Sequence, residues 1–124
     1  MAAIKAKNTK PEMIVRRGLH SRGLRFRLHP RDLPGCPDLV FPCKRIALFV
    51  HGCFWHAHED CRYFKLPKTD EERWRTKLEG NRARDERDQA ALRSIGWQVL
   101  VVWECELRGD VTMRLDALAR MIRA

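Results

Sequence analysis

The sequence has no apolar run near the roughly 20 residues that a membrane-spanning helix takes. It has no internal repeat and no low-complexity segment, so neither a solenoid nor a compositional linker is expected. Met1 opens no apolar leader of the secretory kind, and a cytoplasmic location is the default expectation. Acidic residues are the minority, with 16 Asp and Glu against 25 Lys and Arg, a net charge of +9. Such a balance favours an anionic partner, nucleic acid foremost. The plain alternative is a basic protein with no such partner. Cysteine comes in an odd number, five, which excludes a fully paired disulfide framework. Inside a reducing cell those residues are expected as thiols or metal ligands.

What is present fits one modest domain. The 124 residues are 44% apolar and 33% charged, enough for a real but small core. Residues 1–9 are polar and basic without periodicity and read as a loose arm. Thr9-Lys-Pro-Glu12 fits a capping box that opens a helix running to about Arg22, stopped by Gly23. "LRFRL" (24–28) alternates apolar and basic, as a half-exposed strand does. "DLVF" and "RIALFVHG", separated by Pro42-Cys-Lys44, read as a hairpin of buried strands. A polar helix follows from about Asp70 to Ser94, stopped by Gly96. "WQVLVVW" (97–103) is a continuous apolar run, expected as a strand buried on both faces. Asp110 caps a last amphipathic helix with Val111, Leu115, Leu118 and Ile122 on one side. The order α-β-β-β-α-β-α predicts an α/β domain with a mixed central sheet flanked by helices.

One short stretch, "HGCFWHAHEDC" (51–61), concentrates metal-type side chains. Cys53-x4-His58-x2-Cys61 offers three ligands, and Cys105, just after the last predicted strand, is a free fourth. Three thiols and one imidazole suit a tetrahedral structural Zn²⁺ and argue against Mg²⁺ at these positions. Such a cation would staple an irregular loop to the strand end. Otherwise these are scattered thiols and surface histidines. Cys36 and Cys43 have no histidine at ligand spacing and are read as unliganded.

A second set is acidic. "PGCPDLVF" puts Asp38 at the start of a strand, and the next strand ends "LFVHG". A Pro-Asp opening one strand, with polar groups closing its hairpin partner, resembles the restriction-endonuclease-like arrangement. The acidic-x-Lys triplet that usually completes it is missing, with Phe49-Val50-His51 in its place. Phosphodiester hydrolysis would use a hard cation on oxygen ligands, which Asp38 and the backbone carbonyl of Val50 could supply. It would also use a neutral histidine as base, and His51 and His56 are both available if zinc takes His58. Asp85 shares a helical stripe with Leu78 and Leu92. It is either a carboxylate turned inward toward a histidine of the cluster or an arginine, or a solvated member of the charged face "RARDERD".

"KNTKPE", "LPGCPDLVF", "FVHGCFWH", "YFKLPKT", "NRARDERD" and "GWQVLVVWECEL", in this order, resemble the very-short-patch repair (Vsr-type) DNA mismatch endonucleases over nearly the whole chain. The resemblance implies a single restriction-endonuclease-like domain that nicks one strand of double-stranded DNA beside a T:G mismatch. It implies a catalytic Mg²⁺ and a structural Zn²⁺ as cofactors. Asp38 would be the metal-binding carboxylate, His51 a contact to hydrated metal or phosphate, and His56 the general base. Asp85 would orient His56, and Glu12 would be an active-site glutamate on the first helix. Cys53, His58, Cys61 and Cys105 would be the zinc ligands. Phe54, Trp55 and Trp74 would wedge into the duplex, where a mismatch lowers the cost of unstacking. It also implies a monomer in a bacterial cytoplasm, at the nucleoid when acting, coupled to mismatch-repair proteins. Three features depart from the family pattern: Val at position 50, the His58–Cys61 spacing, and a short basic arm before "KNTKPE", which would lower affinity or loosen mismatch selectivity.

Read without the resemblance, Phe54, Trp55 and Trp74 would be core residues, and Trp97 and Trp103 are assigned to the core or its edge. Two other functions compete. A zinc-stabilised, non-catalytic nucleic-acid-binding module explains the charge, the Cys/His set and the aromatics, but leaves Asp38, Asp85 and two histidines idle. A ββα-metal nuclease built on the histidine cluster would make Asp38 irrelevant.

Overall fold

The computed structural model describes residues 9–62 and 64–124. The basic arm expected at 1–9 therefore lies, all but Thr9, outside the described residues. Helix α1 spans Lys10–Ser21, and its N-cap Thr9 accepts from the Glu12 N–H at 3.4 Å. Strand β1 is Arg27–Leu28, β2 is Leu39–Phe41 and β3 is Ile46–His51, with a 3-10 turn at Pro42–Lys44 between β2 and β3. Helix α2 runs over Glu71–Ser94, β4 over Gln98–Trp103 and α3 over Val111–Arg123. Asp110 caps α3 by accepting from the Met113 N–H at 3.0 Å. Both predicted helix stops are found. Gly23 and Gly96 take positive φ, and the residue after each donates back into the last turn, Leu24 to Leu19 and Trp97 to Leu92.

The sheet order is β1-β2-β3-β4, antiparallel except for the parallel pair β3 and β4, which α2 connects. Strand alternation sorts the side chains into two cores. Leu39, Phe41, Ile46, Leu48, Leu100 and Val102 pack with Val15 and Leu19 of α1 and with Leu118, Ala119 and Ile122 of α3. On the opposite face Val40, Ala47 and Phe49 pack with Leu92 of α2, with Trp97, Val99 and Val101 partly buried beside them. The result is the expected mixed sheet between helices.

Two expectations need correction. The strand at 24–28 is reduced to two paired residues, because only Arg27 and Leu28 find partners, in Val40 and Leu39. Leu24 and Phe26 turn inward as the alternation required, but Leu28 of the same face is exposed. Strand β4 is not buried on both faces. Leu100 and Val102 are buried, while Val99, Val101 and Trp103 are half-covered. The strand lies at the sheet edge, with α2 packed against its second face.

Candidate active site and metal centre

The loop after β3 folds tightly on itself. The His56 N–H donates to the Gly52 carbonyl at 3.3 Å and the His58 N–H to the Cys53 carbonyl at 3.0 Å. Ala57 and Asp60 take left-handed φ to allow the turns. This folding brings Cys53, His58 and Cys61 together, and the turn after β4 adds Cys105. The four ligand atoms lie within 4.8 Å of one another. A tetrahedral zinc with sulfurs at about 2.3 Å needs sulfur separations of about 3.8 Å, so the cluster fits such an ion. The His58 Nδ1 is 3.5 Å from the Cys105 Sγ, and the Cys105 N–H points to the Cys53 Sγ at 3.4 Å. Burial pushes the Cys53 thiol from 9.0 up to about 12, with the neighbouring thiols of Cys105 and Cys61 adding to the rise. Burial raises Cys105 as well. Thiols raised in this way are unfavourable as anions until a cation compensates them. Cys36 and Cys43 take no part in this group, and none of the five cysteines forms a disulfide.

Beside the loop, His51 ends β3 and is buried, and His56 stacks on it with ring centroids 3.8 Å apart and planes 3° apart. His56 Nδ1 lies 2.5 Å from the Asp85 Oδ2. The inward reading of Asp85 is the one realised, with Leu78 and Leu92 of the same stripe buried at 1% and 0% exposure. On the facing side of the sheet edge, Asp38 precedes β2. Its Oδ2 accepts from the Val50 N–H at 2.7 Å, and its own N–H donates to the Leu48 carbonyl at 3.0 Å. A residue's N–H and carbonyl leave an extended strand on the same edge, so the Val50 carbonyl faces the Asp38 side. Glu12, in the first turn of α1, is 2% exposed.

The three expected wedge aromatics form one cluster. Phe54 lies 5.1 Å from Trp55 and 5.4 Å from Trp74, and the two tryptophans are 5.9 Å apart. Trp55 is 44% exposed, which a core residue of its size would not be. Asn81 holds this turn by donating to the Trp55 carbonyl at 3.0 Å.

Two residues of the site escaped sequence reasoning. His29 puts its Nε2 2.8 Å from the Glu12 Oε2 and 4.0 Å from the Asp38 Oδ1. The Glu12 carboxylate, expected in a capping box, is turned to this histidine. Trp103, assigned to the core or its edge, stacks on His58 at 3.8 Å and 3° and meets His51 edge-on at 5.1 Å. One ring thus touches both the Cys/His cluster and the histidine pair. Neither residue had a spacing signal, since each meets partners far along the chain that only the folded structure brings near.

A carboxylate opening one strand, paired histidines at and just past the end of the next, and an aromatic cluster with an exposed tryptophan define a class, an α/β enzyme equipped to cut phosphodiesters. Comparison with known proteins narrows it. Residues 1–63 match the family model described as DNA mismatch endonuclease Vsr. The chain is 43% identical over 122 residues to the DNA mismatch endonuclease Vsr of Escherichia coli, covering 98% of this chain and 78% of the relative. It is 59% identical over 107 residues to the type II nicking enzyme V.XorIIP of Xanthomonas oryzae, covering 86% of this chain and 78% of the relative. A type II nicking enzyme of Neisseria meningitidis, V.NmeAIP, is 38% identical over 123 residues, with 99% and 86% covered. The chain belongs to the Vsr family of DNA mismatch endonucleases, a restriction-endonuclease-like fold.

Proposed function

We propose that the protein, as one endonuclease domain over residues 1–124, nicks one strand of duplex DNA beside a T:G mismatch by Mg²⁺-dependent hydrolysis. The contact that supports this best is His56 Nδ1 to Asp85 Oδ2 at 2.5 Å, with His51 stacked on the same ring. Asp85 accepts the Nδ1 proton and so fixes the tautomer. The Nε2 lone pair is left to take a proton from an attacking water. His51, packed between His56 and Trp103, keeps the base in place and presents its own edge to phosphate or to hydrated metal. Asp38, held by the Val50 N–H, and the Val50 carbonyl would hold Mg²⁺. When bound, that cation stabilises charge on the phosphate and on the leaving oxygen. Glu12 completes the acidic side of the site.

Zinc is assigned to Cys53, His58, Cys61 and Cys105, as a structural staple. Phe54, Trp55 and Trp74 are assigned to the duplex wedge. Aromatic rings pushed between base steps cost least where pairing is already weak, and the wedge thereby favours a mismatch. The names of the relatives, mismatch endonuclease and nicking enzyme, support both halves of this reading. We place the protein as a monomer in the bacterial cytoplasm, at the nucleoid when acting and coupled to mismatch-repair proteins. None of the helices, among the described residues, is long and apolar enough to cross a membrane.

The test is a strand-labelled duplex carrying T:G, incubated with and without Mg²⁺. Cleavage of the T strand alone, and only with Mg²⁺, is expected. Tight binding with no cleavage of any duplex would instead leave a zinc-stabilised binding module.

A further inference from the structure

We propose that Glu12, His29 and Asp38 form a mixed oxygen–nitrogen cation site that binds a first-row divalent transition metal, with Mn²⁺ as its probe, more tightly than Mg²⁺. The site shares Asp38 with the nuclease centre, so the inference rests on that reading and extends it by one ligand and one class of metal.

Three elements converge here. Glu12 lies in the first turn of α1, His29 directly follows β1, and Asp38 directly precedes β2. One ligand atom from each lies within 4.8 Å of the others. The spacing resembles a coordination shell. With donor distances of about 2.1 Å, octahedral neighbours lie about 3 Å apart and opposed donors about 4.2 Å apart. The observed separations are 2.8 Å for His29 to Glu12 and 4.0 Å for His29 to Asp38. Asp38 is divided between two tasks. Its Oδ2 accepts from the Val50 N–H, while Oδ1 is the atom nearest His29.

The backbone supports the ring's placement. His29 takes φ +46, and its N–H donates to the Asp38 carbonyl at 3.2 Å. A non-glycine residue kept in that region marks a position over-determined by its surroundings. The charge also suits a cation. Two carboxylates face the site, and Arg16 approaches one of them, Glu12, at 3.5 Å.

The nitrogen decides the metal. Mg²⁺ prefers an all-oxygen shell and keeps its waters. Imidazole with carboxylates suits the transition series, where affinity rises from Mn²⁺ onward.

The experiment uses the zinc-loaded protein without DNA, titrated with Mn²⁺ and followed by electron paramagnetic resonance. Nitrogen modulation of the bound Mn²⁺ signal is expected, and it should disappear in His29→Gln with zinc content and Tm unchanged. Mn²⁺ affinity should fall about tenfold or more in that variant, and Mg²⁺ affinity much less. Absence of nitrogen modulation in the parent protein would overturn the proposal, even if it nicks T:G duplex with Mg²⁺. So would modulation that persists in His29→Gln, which would transfer the nitrogen to His51 or His56. A protein that coordinates Mn²⁺ through His29 yet cuts no duplex would support this site and sink the nuclease reading instead.

Discussion

The two carboxylate oxygens of Asp38 have different neighbours, and that division makes the residue hard to replace. Asp38→Asn keeps the size but puts an amide N–H₂ where one oxygen either accepts from Val50 or faces the cation. Nicking of T:G duplex should fall below detection in that variant, while circular dichroism and zinc content stay unchanged. Full activity would remove Asp38 from the site. Asp85→Asn is gentler: the amide still reaches His56, but it no longer compensates a protonated ring. A loss of about 10²-fold or more in single-turnover rate is expected, with DNA affinity retained. At this scale the residues alone left Asp85 open between an inward and a solvated carboxylate, and the family resemblance is what paired it with His56. Sequence reading missed His29 and Trp103. A lone histidine in "RLHP" and a tryptophan ending an apolar strand carry no local mark of the residues they meet. Their partners lie 17 and 45 positions away along the chain.

Elements explain what the residues cannot. The loop after β3 packs its aromatics against Trp74 of α2, and the Cys/His cluster brings it against the turn after β4. Cys105→Ser should bind less than one equivalent of metal and lower the Tm by about 4 °C or more, roughly the shift of 1 kcal/mol in a small domain. The thiols also set a pH dependence for the metal-free chain. Cys53 is raised from 9.0 to about 12 in the folded state. Between those values the native state holds a proton that the unfolded state has lost, so unfolding becomes easier as pH rises. Denaturant melts of metal-free protein should show stability falling from about pH 9 upward, with a shallower fall in Cys53→Ala. Equal slopes would contradict the burial of that thiol. The helices and the hairpin were legible because caps, glycine stops and alternation are local signals. The length of β1 and the half-covered face of β4 were not, since pairing partners and roofing helices are tertiary facts.

The whole molecule carries a net charge of +9; the order of elements indicated its mixed α/β sheet, and the family resemblance supplied the restriction-endonuclease-like fold. If DNA binding draws on that charge through several phosphate contacts, affinity must fall steeply with salt. A linear decline of log affinity against log salt concentration is expected, for mismatched and paired duplex alike. Phe54→Ala with Trp55→Ala should leave that slope unchanged and reduce the preference for the mismatched duplex. An unchanged ratio would refute the wedge assignment.

The parallel pairing of β3 with β4 bears on how the chain is made. The groups at positions 12, 29, 38, 51 and 56 are synthesised first, but the strand that pairs with β3 and the last metal ligand arrive only at 98–105. Until then His56 has no fixed loop to stand on, and Trp103 is not there to hold His51. A chain ending before β4 is therefore expected to leave mismatched duplex uncut, which truncation after position 97 would check.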